Sequence, residues 1–124
     1  QDAIILGDRH SHLIAKMMEM AQSRQQTISH NLSNVNTPGY IRQDIDFGRQ
    51  LREVLQAATP QGMAAVRPEV VEDHGNPARV DGNNVQAAGE MNEMMQNGLM
   101  YELLVKAFST RTSILRMAMQ GANG

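Results

Sequence analysis

Apolar positions recur at three- and four-residue spacing in two segments at opposite ends of the chain and lose that rhythm between them. In the first, Ile14, Met18, Ala21, Gln25, Ile28, Leu32 and Val35 follow one another at alternating steps of four and three. That is the seam of a helix packed lengthwise against another, with Gln25 as its polar exception, and it predicts a helix over residues of about 8–34. Leu6, Leu13, Met17 and Met20 form a second stripe beside its first half. In the second segment Met91, Met94, Gly98, Tyr101, Val105, Phe108, Thr112, Leu115 and Met119 keep the same spacing, which predicts a helix over residues of about 90–120. Met100, Leu104, Ala107, Ile114 and Ala118 lie beside that seam, broken by Arg111, and Gly121 and Gly124 end the pattern. Gly98 costs a helix about 1 kcal/mol relative to Ala, so its place on the seam predicts close approach by another backbone.

Between the helices the period changes. Thr37-Pro38-Gly39-Tyr40 predicts a type II turn, because Pro38 presets φ and Gly39 supplies the positive φ of the next position. Pro38 also bars Thr37 from the α region, so the first helix must end by Asn36 or Thr37. From Tyr40 to Phe47 the chain alternates: Ile41, Gln43, Ile45 and Phe47 on one side, Tyr40, Arg42, Asp44 and Asp46 on the other. This predicts a short extended arm whose polar side, with Arg42 beside Asp44 and Asp46, faces solvent. Asp46 is placed to cap a short helix from Phe47 to about Gln56, with Leu51, Val54 and Leu55 on one face. Residues 57–84 hold the other three prolines with Gly62, Gly75 and Gly82, and predict loop with at most a short strand near Val66 to Val71. Asp81-Gly82 is a hairpin-type turn signal.

The expected fold is mainly α: long N- and C-terminal helices paired as an antiparallel coiled-coil hairpin, with an irregular middle of short β arm and loops. The parts of this single domain are residues 1–35, the first helix; 36–89, turn, arm, short helix and loop; and 90–124, the second helix. A hairpin needs one apolar stripe per helix, yet each helix here carries part of a second. The middle offers too little helix to cover them, so the surplus predicts partners, most simply copies of the same chain.

Composition narrows the chemistry. The 124 residues carry a formal net charge of −2, which gives no basic footprint for nucleic acid. There is no Cys, so neither disulfide nor thiol chemistry is available. No run reaches the roughly 20 apolar residues of a membrane span, and Ala3 to Leu6 is too short for a signal-peptide core. Aromatic residues make up only 3%, while Met numbers ten. Nine of those Met lie in the two predicted helices, where soft, adaptable side chains suit interfaces as well as cores. His10 and His12, with Asp8, do not share a helix face and so do not converge on a metal. Asp81-Gly82-Asn83-Asn84 fails the calcium-loop spacing at Val85, Gln86 and Asn92. No phosphate loop, nucleophile elbow or His-Glu metal motif is present, so we expect no enzyme, no cofactor and no small-molecule substrate.

The stretch from Ile28 to Phe47, ISHNLSNVNTPGYIRQDIDF, resembles the signature of the flagellar axial proteins, the rod and hook family. Asn31, Asn34, Asn36, Thr37, Pro38, Gly39 and Tyr40 match its N-x-A-N-x-x-T-P-G-Y core, with Ser33 in place of the usual Ala. Arg42, Asp44, Asp46 and Phe47 match the continuation found in its proximal rod members. Val80-Asp81-Gly82-Asn83-Asn84-Val85 resembles a second segment of those members, after which Gln86-Ala87-Ala88-Gly89 departs from their acidic pattern. The resemblance implies a structural subunit of the proximal rod of the bacterial flagellar basal body. It would assemble with copies of itself and other rod proteins into a tubular, torque-transmitting shaft around the export channel. The implied neighbours are membrane-ring, junction and export-gate proteins, with no nucleic acid. The implied location is the periplasmic side of the inner membrane, reached by type III export without a cleaved signal peptide. The residues expected to pack subunits are Ile14, Met18, Ile28, Leu32, Met94, Gly98, Tyr101, Val105, Phe108 and Leu115, and the arm of residues 36–47 is expected to offer its open strand edge to a neighbour. The rival expectation is a small helical adaptor or export chaperone that binds a single partner.

Overall fold

The structure, a computed structural model, describes residues 2–123, with side-chain surroundings for residues 9–121. The expected roles of Leu6, Asp8 and the terminal Gly124 therefore fall outside the described residues. In chain order the elements are α1 (Asp2–Ser33), β1 (Gln43–Ile45), α2 (Phe47–Gln56), α3 (Pro60–Ala65), β2 (Val70–Glu72) and α4 (Ala87–Asn123). α1 and α4 lie antiparallel. Asn31 near the end of α1 meets Glu90 near the start of α4, Ala21 and Gln25 meet Asn97, and Gln22 meets Tyr101. The long helical hairpin expected from the two seams is the architecture of the chain.

The seams are filled unevenly. On α1, Ala21 and Ile28 are fully buried, and Ile14, Met18, Gln25 and Leu32 are half-buried. On α4, Met94, Gly98, Tyr101, Phe108 and Leu115 line the pair, joined by Leu104 from the neighbouring stripe. Met91, Val105 and Met119 do not: they are 63%, 41% and 50% exposed. The helix is rotated from its expected setting so that Asn97, not a large apolar residue, is its most deeply buried side chain in the middle of the seam. Gly98 also departs from expectation. A Cβ built there meets nothing within 4 Å, so no backbone approaches it within the chain.

The middle of the chain corrects a second expectation. Thr59 caps α3, its hydroxyl accepting from Gly62 N at 3.0 Å, and Pro60 occupies the first turn, where its missing N–H costs nothing. This helix, in a stretch expected to be loop, folds with α2 back onto α1. Arg9 donates to the carbonyls of Ala57 and Leu55 at 3.0 and 3.1 Å. Lys16, only 6% exposed, donates to those of Ala64 and Val66 at 3.2 and 2.7 Å. Two cations on α1 thus satisfy carbonyls at the C-terminal ends of α2 and α3, where the helix dipole is negative. Val54 and Met63 are buried with Met20 and Ile45 in the resulting core. Of the second stripe of α1, Leu13 and Met17 are half-buried and Met20 is fully buried, and the longest run of exposed large apolar residues among those described lies on α4.

Candidate functional site

Among the described residues, the turn and arm of residues 31–47 are held by a dense set of hydrogen bonds. Beyond Ser33 the chain unwinds through Asn34 N to the carbonyls of His30 and Asn31 and Val35 N to Leu32 O. The Asn34 side chain folds back to His30 O at 2.8 Å and accepts from the Thr37 hydroxyl at 3.1 Å. Tyr40 N then closes on Thr37 O at 3.2 Å with Gly39 at φ +75°, the geometry of the expected type II turn. Asn36, Thr37, Pro38 and Gly39 are themselves exposed.

A second loop holds this turn from the far side. Gly39 N donates to Asp81 O at 2.8 Å, and Gly82, at φ +85°, lies against it. A Cβ on Gly82 would stand 3.2 Å from the Gly39 Cα. The expected Asp81-Gly82 turn is present, though no strands flank it. Asn83, fully buried, donates through Nδ2 towards the carbonyls of Asn34, Val35 and Thr37 at 2.8, 3.2 and 2.9 Å. Arg79 reaches Val35 O as well, so one loop caps the orphan carbonyls at the end of α1. Asn84 accepts from Arg42 N at 2.6 Å and donates to Asp73 O at 2.7 Å, joining the arm to the segment after β2.

The arm is not an open edge. β1 pairs antiparallel with β2, with Gln43 opposite Glu72, Asp44 opposite Val71 and Ile45 opposite Val70. On its other side Asn31 takes the place of a neighbouring strand. Its Oδ1 accepts from Gln43 N at 2.9 Å and its Nδ2 donates to Gln43 O at 2.7 Å. The same carboxamide accepts from the Tyr40 hydroxyl at 2.8 Å and donates to Glu90 at 3.2 Å. Within the chain, therefore, the edge expected to seek a neighbour is already taken.

Nor does the polar side of the arm face solvent. Arg42 is 6% exposed and its guanidinium bridges Glu90 at the start of α4 with Asp73 after β2, while Asp44 lies 3.3 Å away. Asp44 in turn accepts from Arg24 of α1, which also reaches Glu93 of α4 at 2.8 Å. Burial disfavours the charge of Arg42, but hydrogen bonding and attraction from Glu90, then Asp73 and Asp44, more than offset it and raise its pKa above the ordinary value. The Asp73 carboxyl is held below the usual range, first by the backbone N–H of Gly75 and then, against its own burial, by Arg42. Burial, then the charge of Glu90, raise the Tyr40 hydroxyl. Only Asp46 of the polar row is exposed. It does what was expected of it, accepting from Arg49 N at 3.2 Å to cap α2.

Asn83, Asn84, Asp73, Arg24 and Glu90 were not singled out for these roles from sequence. The signal lay in the Asp81-to-Asn84 segment, whose consecutive amides serve as caps rather than as a turn alone. Among the described residues, no group of three His, Asp or Glu is placed to hold a metal, and no helix is long and apolar enough to cross a membrane.

A paired-helix scaffold with a braced Thr-Pro-Gly-Tyr turn defines a class. Residues 18–40 match the family described as flagella basal body rod protein. The chain's relatives include proteins named flagellar basal body rod protein FlgB. That of Cereibacter sphaeroides is 29% identical over 117 residues, covering 86% of this chain and 91% of the relative. That of Escherichia coli K12 is 24% identical over 123 residues, covering 86% and 89%. That of Borreliella burgdorferi is 25% identical over 107 residues, covering 72% and 79%.

Proposed function

We propose that the chain is a self-assembling subunit of the proximal rod, packing with copies of itself and with other axial proteins into a tubular shaft that transmits torque around the export channel. The observation that carries this reading is the outer face of α4. Met91, Met95, Leu99, Leu103, Ile114 and Met117 are between 47% and 67% exposed. They extend over about 40 Å at 1.5 Å per residue. Apolar surface of that extent marks an interface with protein or membrane, and its Met-rich composition suits contact with non-identical neighbours. A shaft under torque needs long contacts of this kind rather than a pocket. The braced turn provides the second requirement: Arg42, Asn31 and Asn83 tie α1, β1, β2 and the start of α4 into one unit, so that load on one helix passes to the other. Membrane-ring, junction and export-gate proteins are the partners this position implies, on the periplasmic side of the inner membrane, with delivery through the flagellar export apparatus.

Deletion of the gene in its host, followed by electron microscopy of hook–basal bodies and filaments, tests the reading. Absence of both, restored by the intact gene, supports a rod subunit. Normal flagella would reject it and leave the adaptor that binds one partner in a closed complex.

A further inference from the structure

Where the α1–α4 seam is filled by polar or small residues, two notches open. One, of about 270 Å³, is lined by Ala21, Gln22 and Gln25 of α1 and by Asn97, Gly98 and Tyr101 of α4. The other, of about 410 Å³, lies between Ser11 and the α4 residues Phe108, Thr112, Leu115, Arg116 and Met119. Each contains a buried polar atom without a partner, Asn97 Oδ1 in the first and Ser11 Oγ in the second. At about 3.6 residues per turn, Gly98, Tyr101, Phe108 and Thr112 fall on one side of α4, so both notches open on the same flank. The exposed ridge of Leu99, Leu103, Ile114 and Met117 falls on a different side of the same helix.

Ridge and notches also share a spacing. The ridge is two clusters, Met95-Leu99-Leu103 and Ile114-Met117, separated by a stretch that presents Lys106 and Thr110. Their centres lie roughly 25 Å apart along the helix, and those of the two notches roughly 23 Å. The two sets stand at nearly the same heights on α4.

We propose that the ridge of one copy seats its two apolar clusters in the two notches of the next, with the copies side by side, their helices parallel and little axial offset. This rests on the self-assembly reading and specifies its contact. Because knob and socket lie on different sides of one helix, the contact is heterologous: each copy keeps a free ridge and a free socket, and association continues instead of closing as a two-fold dimer. The open space beside Gly98, unexplained by the fold of one chain, is then the place where a neighbour's Leu99 enters.

The natural absence of Cys makes the test clean. Leu99→Cys places a thiol on the ridge and Gln22→Cys places one at the rim of the first notch; both positions are exposed. Mild oxidation of concentrated full-length chain should give a cross-linked pair from a mixture of the two variants, none from either alone, and a ladder from the double variant. Gly98→Leu, whose Cβ meets nothing within 4 Å and whose longer side chain occupies the notch against its walls, should abolish the mixed pair while unfolding at no lower denaturant concentration. Efficient linking of Leu99→Cys to itself would mean a two-fold ridge-to-ridge contact and overturn the proposal, as would the absence of the mixed pair. Flagellar counts in the deletion host read the rod assignment separately. A mixed pair from a chain that flagella do not need keeps the contact and rejects the rod, whereas missing flagella without a mixed pair keep the rod and reject the contact.

Discussion

The carboxamide of Asn31 pairs with the backbone of Gln43 through both of its polar atoms, at 2.9 and 2.7 Å, as an adjacent strand would. In an antiparallel ladder alternate residues direct their N–H and C=O away from the partner strand. Gln43 is such a residue in β1, and a helix side chain meets those groups. This joins α1 to the arm, and through Glu90 to α4, without a third strand.

Asn31→Ala strands the N–H and C=O of Gln43 and removes the acceptor of the Tyr40 hydroxyl. Buried unmade hydrogen bonds of this kind cost about 3 kcal/mol together. Urea unfolding should show that loss with an unchanged m-value, and Asn31→Asp should be worse, since it sets a second carboxylate against Glu90.

Arg42→Met leaves Glu90 buried without its cation, a change that costs about 4 kcal/mol. Adding Glu90→Gln should recover a substantial part, giving a double variant less destabilised than the sum of the two single changes. Strict additivity in a double-mutant cycle would show that the two groups are not coupled.

The sign of the pH dependence follows from Asp73. Its carboxyl is held below its ordinary pKa in the folded chain, so it stabilises fully above the unfolded value and the contribution is lost as pH falls through the folded value. Asp73→Asn should therefore be less stable than the parent at neutral pH and converge with it in strong acid. Arg42, raised above its already high value, stays charged throughout that range and adds no step of its own. A gap between the two unfolding curves that stayed constant with pH would contradict this.

Gly39 and Gly82 both need positive φ, but their surroundings differ. Nothing lies within 4 Å of a Cβ on Gly39, so Gly39→Ala bears only backbone strain, about 1 kcal/mol. Gly82→Ala adds a 3.2 Å approach to the Gly39 backbone and should cost more. The order of the two midpoints in denaturant checks the packing of the two loops. By the same comparison Gly98→Ala should stabilise the isolated chain by about 1 kcal/mol, because it improves helix propensity and meets nothing.

The parts of this fold that rest on local rules were legible in the sequence. The 3–4 spacing placed both long helices, Pro38-Gly39 placed the turn, and Asp46 placed α2 with its observed ends. What was not legible depends on choices between locally equal alternatives. α4 is apolar on several sides, and spacing alone favoured Met91, Val105 and Met119 over Leu104 for the seam. Arg42 and Asp44 read as solvated charges because each is costly to bury alone, and only the fold brings their complements together, among them Glu90. Asn31 was legible as part of a motif, but its pairing with Gln43 joins a helix to a strand that is itself only three residues long.

The most direct test of the account concerns the outer face of α4, which it assigns to assembly and not to the fold. Leu99→Glu with Leu103→Glu changes two residues that are 57% and 67% exposed. The double variant should unfold at the same denaturant concentration as the parent, yet fail to restore hook–basal bodies in the deletion host. Restoration to the parent's count by a stably expressed variant would show that this face is not where the rod is built.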